Sequence, residues 1–182
     1  MHIPTHILSG WVLGNLFPLT PRERLGAMIA ATVPDLDGLG IVFGERAYQD
    51  WHHVACHNLP FCLIACGVLA ALSRRIGIGL IGLFLLYGAL FHLHLLMDYY
   101  GSGPGWPIVY LWPFSSFKFV NWQSWELSSW QNTLAAGVLL AITIGIAAMR
   151  KLTPLEVLMP SLDAKFTGRS TSAASPTDSA RP

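Results

Sequence analysis

A chain of 182 residues fits one domain by the usual prior of roughly 100–200 residues per domain; at 53% hydrophobic and 12% charged it has about half the ~25% charge of soluble domains, which points to lipid. Eleven Lys and Arg against ten Asp and Glu leave a net charge of +1, so no basic field exists to hold a nucleic-acid backbone. The three cysteines, Cys56, Cys62 and Cys66, form no C-x-x-C pair, which argues against a disulfide framework or a thiolate zinc site and for packing as small apolar residues.

The first 33 residues predict two short helices. Thr5 is the expected cap of the first, which runs to about Phe17 before Pro18. Thr20-Pro21-Arg22-Glu23 has capping-box spacing with proline at the first helical position and opens the second, which Pro34 ends. The N-terminus lacks the basic region of a secretory signal, so these helices are expected to belong to the fold.

Residues 59–73 are apolar but short for a span, whereas residues 76–97 form a 22-residue run without a formal charge. At 1.5 Å per residue this run covers a ~30 Å hydrocarbon core. A further span is expected over residues 127–149, ending at Arg150-Lys151. Basic pairs at Arg22/Arg24, Arg74/Arg75 and Arg150/Lys151 predict a cytoplasmic side and place residues 1–6, 34–58 and 98–131 on the opposite side. Five of the seven tryptophans, from Trp106 to Trp130, lie in the last of these segments, as in an aromatic belt. The expected architecture is an all-α, multi-helix integral membrane bundle, multi-pass in the cell (inner) membrane. Residues 1–160 form its embedded domain and residues 161–182 a disordered Ser/Thr/Ala/Pro-rich cytoplasmic tail.

All seven histidines precede residue 95, and this topology brings them to one membrane face with Asp35, Asp37 and Asp98, where they look like a metal site. His94 and Asp98 are four apart and share a helical face, so they can chelate one ion; a plain His–Asp hydrogen bond explains the spacing equally well. His92 projects about 200° away from His94 on an ideal helix and reads as a structural histidine. Asp35 and Asp37 flank a turn after Pro34, a pattern that ordinary turn chemistry also produces. Asn58 is the expected cap of the helix at residue 59, which fixes His57 just outside it. His6 is in the first turn of the first helix, and His2 reads as part of a frayed end.

Taken in order, Thr5-His6-x-x-x-Gly10, Pro34-Asp35-x-Asp37, His52-x4-His57 and His94-x3-Asp98 followed by Trp112-Pro113-Phe114-Ser115 resemble the YdjM/YbcI-type membrane-bound metal-dependent hydrolases. The resemblance covers about residues 1–130 and extends to the zinc-dependent phospholipase C and P1-type nuclease group, which implies an all-helical fold and phosphoester chemistry. It matches His52 and His57 to the family's two histidines, so His52 is favoured over His53, which stands where the family usually has arginine. With no histidine after His94, a full three-metal site is not expected.

The function expected is a membrane hydrolase using one or two divalent ions, zinc by preference, with ligands drawn from His6, Asp35, Asp37, His52, His57, His94 and Asp98. Asp37 is the expected base for water. The loop after Asp98, with Trp106 as a possible cover, and the location at headgroup level point to membrane lipid or a lipid-linked ester as partner or substrate. The competing expectation is a non-catalytic membrane protein with a structural or transport metal site; a regulatory protein that keeps the site without turnover is the third.

Overall fold

The computed structural model describes residues 1–73 and 79–169. Among them the chain forms α1 (Ile3–Gly14), α2 (Pro21–Ala30), a 3-10 segment (Val33–Phe43), α3 (Glu45–Trp51), α4 (Leu59–Ser73), α5 (Leu80–Gly101), α6 (Trp130–Arg150) and α7 (Pro160–Thr167). The sole extended pairing among the described residues is an isolated bridge between Ile108 and Phe119. The all-helical expectation therefore holds.

Two helices, α5 and α6, are long and apolar enough to cross a membrane, and α2 with the 3-10 segment passes the same test as a pair bent by 55°. The helix expected over 76–97 begins at Leu80 and continues to Gly101, because no proline intervenes before Pro104; residues 76–78 lie outside the described residues, as do Arg74 and Arg75. That extension carries Asp98 into the last turn. α6 begins at Trp130, three residues later than expected, with Ser129 as its N-cap.

Thr5 does not cap α1. The helix starts at Ile3 with His2 as N-cap and Pro4 in its first turn, where a missing N–H costs no intrahelical bond. α2 has the expected capping box: Glu23 N–H donates to Thr20 Oγ1 at 3.3 Å and Thr20 N–H to Glu23 Oε2 at 2.7 Å.

α2 is the hub and packs against α1, α4 and α5. Its small buried residues Gly26, Ala27 and Ala30, with Ala31 at its C-cap, let neighbouring backbones approach. The Tyr87 hydroxyl of α5 donates to the Glu23 carbonyl at 2.9 Å. α1 crosses α2 at Gly10, where a Cβ would lie 2.6 Å from the Ala27 carbonyl oxygen; this crossing places His6, one turn away on the same face, over α5. Asn132 near the start of α6 donates to the Gly101 carbonyl at 2.8 Å, so the end of α5 and the start of α6 lie at one level.

The opposite end of the bundle carries the buried Arg24 and the exposed Arg150. Arg24 makes a two-pronged pair with Glu156 at 2.7 Å, and Arg150 donates to Asn15. The tail expected to be disordered from residue 161 instead opens as α7. There Asp163 accepts the Thr153 N–H at 2.6 Å and pairs with Arg169 at 2.5 Å, while Pro160 sits in the first turn. Residues 170–182 lie outside the described residues.

Candidate metal centre

The last turns of α5 form the floor of the site. His94 and Asp98 share one face as their spacing requires, with His94 Nε2 3.0 Å from Asp98 Oδ2. His94 Nδ1 is 2.9 Å from the carbonyl oxygen of Ala31. A helix end leaves such carbonyls without an intrahelical partner, and a carbonyl only accepts. Nδ1 therefore carries the hydrogen, and Nε2 is turned toward Asp98.

His57 enters from the segment before α4. Asn58 accepts the Phe61 N–H at 2.9 Å and donates to the carbonyls of Val54 and Ala55, so the expected cap also pins the loop. His57 Nδ1 lies 2.9 Å from Asp37 Oδ2. Its Nε2 lies 3.2 Å from His94 Nε2 and 3.4 Å from Asp98 Oδ2.

His6 closes the cluster from α1, its ring stacked on His94 with centroids 3.8 Å apart. Its Nε2 is 3.3 Å from Asp98 Oδ1, yet neither ring nitrogen has a hydrogen-bond partner. Asp35 Oδ1 is 3.6 Å from His94 Nε2, and Asp35 Oδ2 is also buried without a partner. One ligand atom from each of Asp35, His57, His94 and Asp98 lies within 4.8 Å of the others. The amino group of Met1 contacts Asp98 as well, and Ser102 Oγ at 3.0 Å.

Asp37 occupies a different position. Its Oδ1 meets His52 Nδ1 at 2.7 Å, and its Oδ2 meets His57 Nδ1 and accepts the Cys56 N–H at 3.1 Å. Its side chain is 0% exposed. Both oxygens are engaged and Asp37 is not among the residues that line the cavity, so the residue expected from sequence to take a proton from water lies behind the imidazoles of His52 and His57. Asp37, His52 and His57 also form a second group with metal-ligand spacing.

His53, passed over in favour of His52, is buried at 2% exposure. It adopts φ +64°, a region that non-glycine residues enter rarely. That turn places Nδ1 3.1 Å from the Trp106 carbonyl and Nε2 3.7 Å from Asp98 Oδ2. His52 and His53 both border the site, one through Asp37 and one beside Asp98. No signal in the sequence separates them, because the Trp106 carbonyl is 53 residues away. His92 is outside the cluster, with Nδ1 at the Gly88 carbonyl and Nε2 at the Tyr110 hydroxyl, both at 2.7 Å. It has a structural position, though its partner is a loop residue.

A cavity of about 520 Å³ opens beside the cluster, with Asp35, Asp98, His52, His53, Trp106 and Leu39 in its wall. Trp106 packs edge-on to Tyr48 and His52, 5.4 and 5.1 Å away. His2, exposed at the chain start, reaches the rim.

Burial disfavours charge throughout the cluster, and it holds His53 well below the usual imidazole range and His6 below it, despite Asp98 nearby. Those rings are neutral at pH 7, the form that ligates metals. His57 goes the other way: burial opposes its charge, but hydrogen bonds to Asp37 and Asp98 outweigh it and raise the pKa to about 9. The two carboxylates thus draw one positive charge to His57.

A model of the YdjM inner membrane protein family matches residues 1–162. No curated protein and no solved structure matches the chain.

Proposed function

The chain belongs to the YdjM inner membrane protein family, and with that premise we propose that it is a membrane-bound metal-dependent hydrolase acting on an ester or phosphoester. The observation that carries the reading is the meeting of His57 Nε2, His94 Nε2 and Asp98 Oδ2 within 3.0–3.4 Å of one another, with the other nitrogen of each ring already held by an oxygen. The donor set fits a divalent cation: imidazole and carboxylate are zinc ligands, and His6 and Asp35 add buried polar atoms that lack partners.

His6, His57, His94, Asp35 and Asp98 would hold the ion, and the two carboxylates among them balance the charge of one divalent cation. Zinc is the metal that this mixture of nitrogen and oxygen donors favours. Bound there, such a cation lowers the pKa of water toward ~7 and polarises the oxygen of the ester. Asp37 fixes the tautomer and direction of His57 and His52, as carboxylates behind metal-ligating histidines do. Asp35 would ligate through Oδ1 alone, which leaves its unpartnered Oδ2, on a side chain that borders the cavity, to take the proton from water in place of Asp37. Phosphoester chemistry of the phospholipase C and P1-type nuclease kind is supported by the ordered His/Asp series alone.

The cluster lies where α5 ends and α6 begins, which supports a site at one membrane face. Arg24 and Arg150 at the other end favour an extracytoplasmic face for it.

A structural or transport metal site is the second reading. It is favoured by the burial of the donors, since His6, His57, His94 and Asp98 are at most 2% exposed and structural sites are closed. Detergent-purified protein assayed for bound metal and for hydrolysis of a soluble phosphodiester separates the two. Metal with turnover, both lost in His94→Ala and Asp98→Ala, supports the hydrolase; metal without turnover supports the second reading.

A further inference from the structure

At the end of the molecule away from the His/Asp cluster, the segment from Arg150 to Arg169 sorts its side chains by chemistry. α6 starts beside the cluster, where Asn132 reaches Gly101, and ends at Arg150 with Lys151 as its C-cap. α7 therefore follows the far end of a helix of membrane length. One side of α7 faces the protein: Asp163 and Ala164 are buried, and Asp163 holds the Thr153 N–H and Arg169. Glu156 in the linker is bonded to Arg24 of α2, and Leu158 shares a groove with Leu25, Met28 and Ile29 of α2. These contacts tie α7 to the bundle beside α2, which with the 3-10 segment forms the bent apolar pair.

The outward side of α7 is apolar in one stripe and cationic in the next. Leu162 and Phe166, 39% and 72% exposed, are four apart and share a helical face. At about 100° per residue, their stripe lies roughly 130° from the inward Asp163 and Ala164; Lys165 lies about 80° from it on the side away from them, and Ser161 completes the circle. Leu158 and Met159, just before the helix, are 66% and 50% exposed. Protein, hydrocarbon, headgroup and water follow one another in this order around a helix lying flat in a bilayer surface against a protein wall.

Charge selects the partner. The carboxylates of this segment, Glu156 and Asp163, are withdrawn into ion pairs with 6% and 0% of their side chains exposed. Its cations, Arg150, Lys151, Lys165 and Arg169, are all exposed. A second copy of the chain docking here would bring cations against cations, whereas anionic lipid neutralises them.

We propose that α7 is an interfacial anchor: it lies in the bilayer surface with Met159, Leu162 and Phe166 among the upper acyl chains and Lys151, Lys165 and Arg169 on anionic headgroups. The inference rests on α6 crossing the bilayer and not on the hydrolase reading.

The test uses full-length protein carrying Phe166→Cys, Leu162→Cys or Ser161→Cys, all at exposed positions, each labelled with an environment-sensitive fluorophore. Labelling of the native cysteines is measured on wild-type protein and subtracted. The variants are reconstituted in vesicles of phosphatidylcholine with or without phosphatidylglycerol, and quenching is read from a nitroxide near the carbonyl end of a lipid acyl chain. With phosphatidylglycerol present, the label at 166 and at 162 is expected to be quenched severalfold more than at 161. Lys165→Glu, or omission of phosphatidylglycerol, is expected to bring quenching at 166 down toward the level at 161. Quenching at 166 and 162 no greater than at 161 overturns the anchor. Shielding of 166 from aqueous iodide without lipid quenching assigns the stripe to a second copy and also overturns it. Strong lipid quenching that neither Lys165→Glu nor the lipid composition changes overturns the role of the anionic headgroups.

Discussion

His57 and His94 face each other with Nε2 atoms 3.2 Å apart, while Asp37 and the Ala31 carbonyl each hold the opposite nitrogen of one ring at 2.9 Å. Two ring nitrogens without hydrogens repel at that distance. A cation between them, proton or metal, turns the repulsion into binding.

Removing either ring should therefore remove the ion. His57→Ala and His94→Ala are each expected to purify with little bound zinc, whereas His92→Ala, outside the cluster, should retain it. Metal analysis of the three variants beside wild type checks this.

Asp37→Asn tests orientation separately from ligation. The amide is nearly isosteric, but its nitrogen cannot accept from the rings or from Cys56 N–H. A fall of about 10–100-fold in zinc affinity is expected, the range for partners behind metal-bound histidines; Asp98→Asn should be worse. Competition with a chromogenic chelator measures both.

The pH dependence should differ with and without metal. In chelator, His57 has a folded pKa of about 9 against 6.5 for the free group. A raised pKa stabilises the fold fully below 6.5, and the contribution fades as pH rises through about 9. With zinc the sign reverses on the acid side, because protons displace the metal from its imidazoles. Melting temperatures from pH 5 to 10 in both conditions show whether the two profiles diverge.

Gly10→Val probes the helix crossing that delivers His6. Its Cβ would meet the Ala27 carbonyl at 2.6 Å and Ala31 Cβ at 2.8 Å, so the helices must separate, at about 1–3 kcal/mol. Stability and zinc affinity should fall together. Glu156→Gln is the control at the opposite end: it leaves Arg24 without its countercharge and costs up to about 3 kcal/mol, with zinc affinity unchanged.

Much of the site was legible in the sequence where the geometry is local. The His94–Asp98 spacing places both groups on one helical face, Asn58 caps α4, and Thr20 with Glu23 forms its box. The convergence of His6, Asp35 and His57 on that face followed from counting helices between basic clusters. What was not legible depends on contacts distant in sequence. The choice between His52 and His53 turns on a positive φ and a carbonyl 53 residues away, and the place of Asp37 behind two imidazoles depends on His52, His57 and the Cys56 N–H reaching it from 15 to 20 residues along the chain. The start of α1 and the existence of α7 depart from expectation for local reasons: Pro4 is tolerated in the first turn and moves the start ahead of Thr5, and the polar composition after Pro160 masks the pairing of Asp163 with Thr153 and Arg169.

The most direct test is elemental analysis of wild-type protein purified in detergent without added metal, beside Asp98→Ala. The account predicts about one divalent ion per chain, zinc foremost, in the wild type and its loss in the variant. Folded wild-type protein without stoichiometric metal, and unable to take up zinc when supplied, would contradict it.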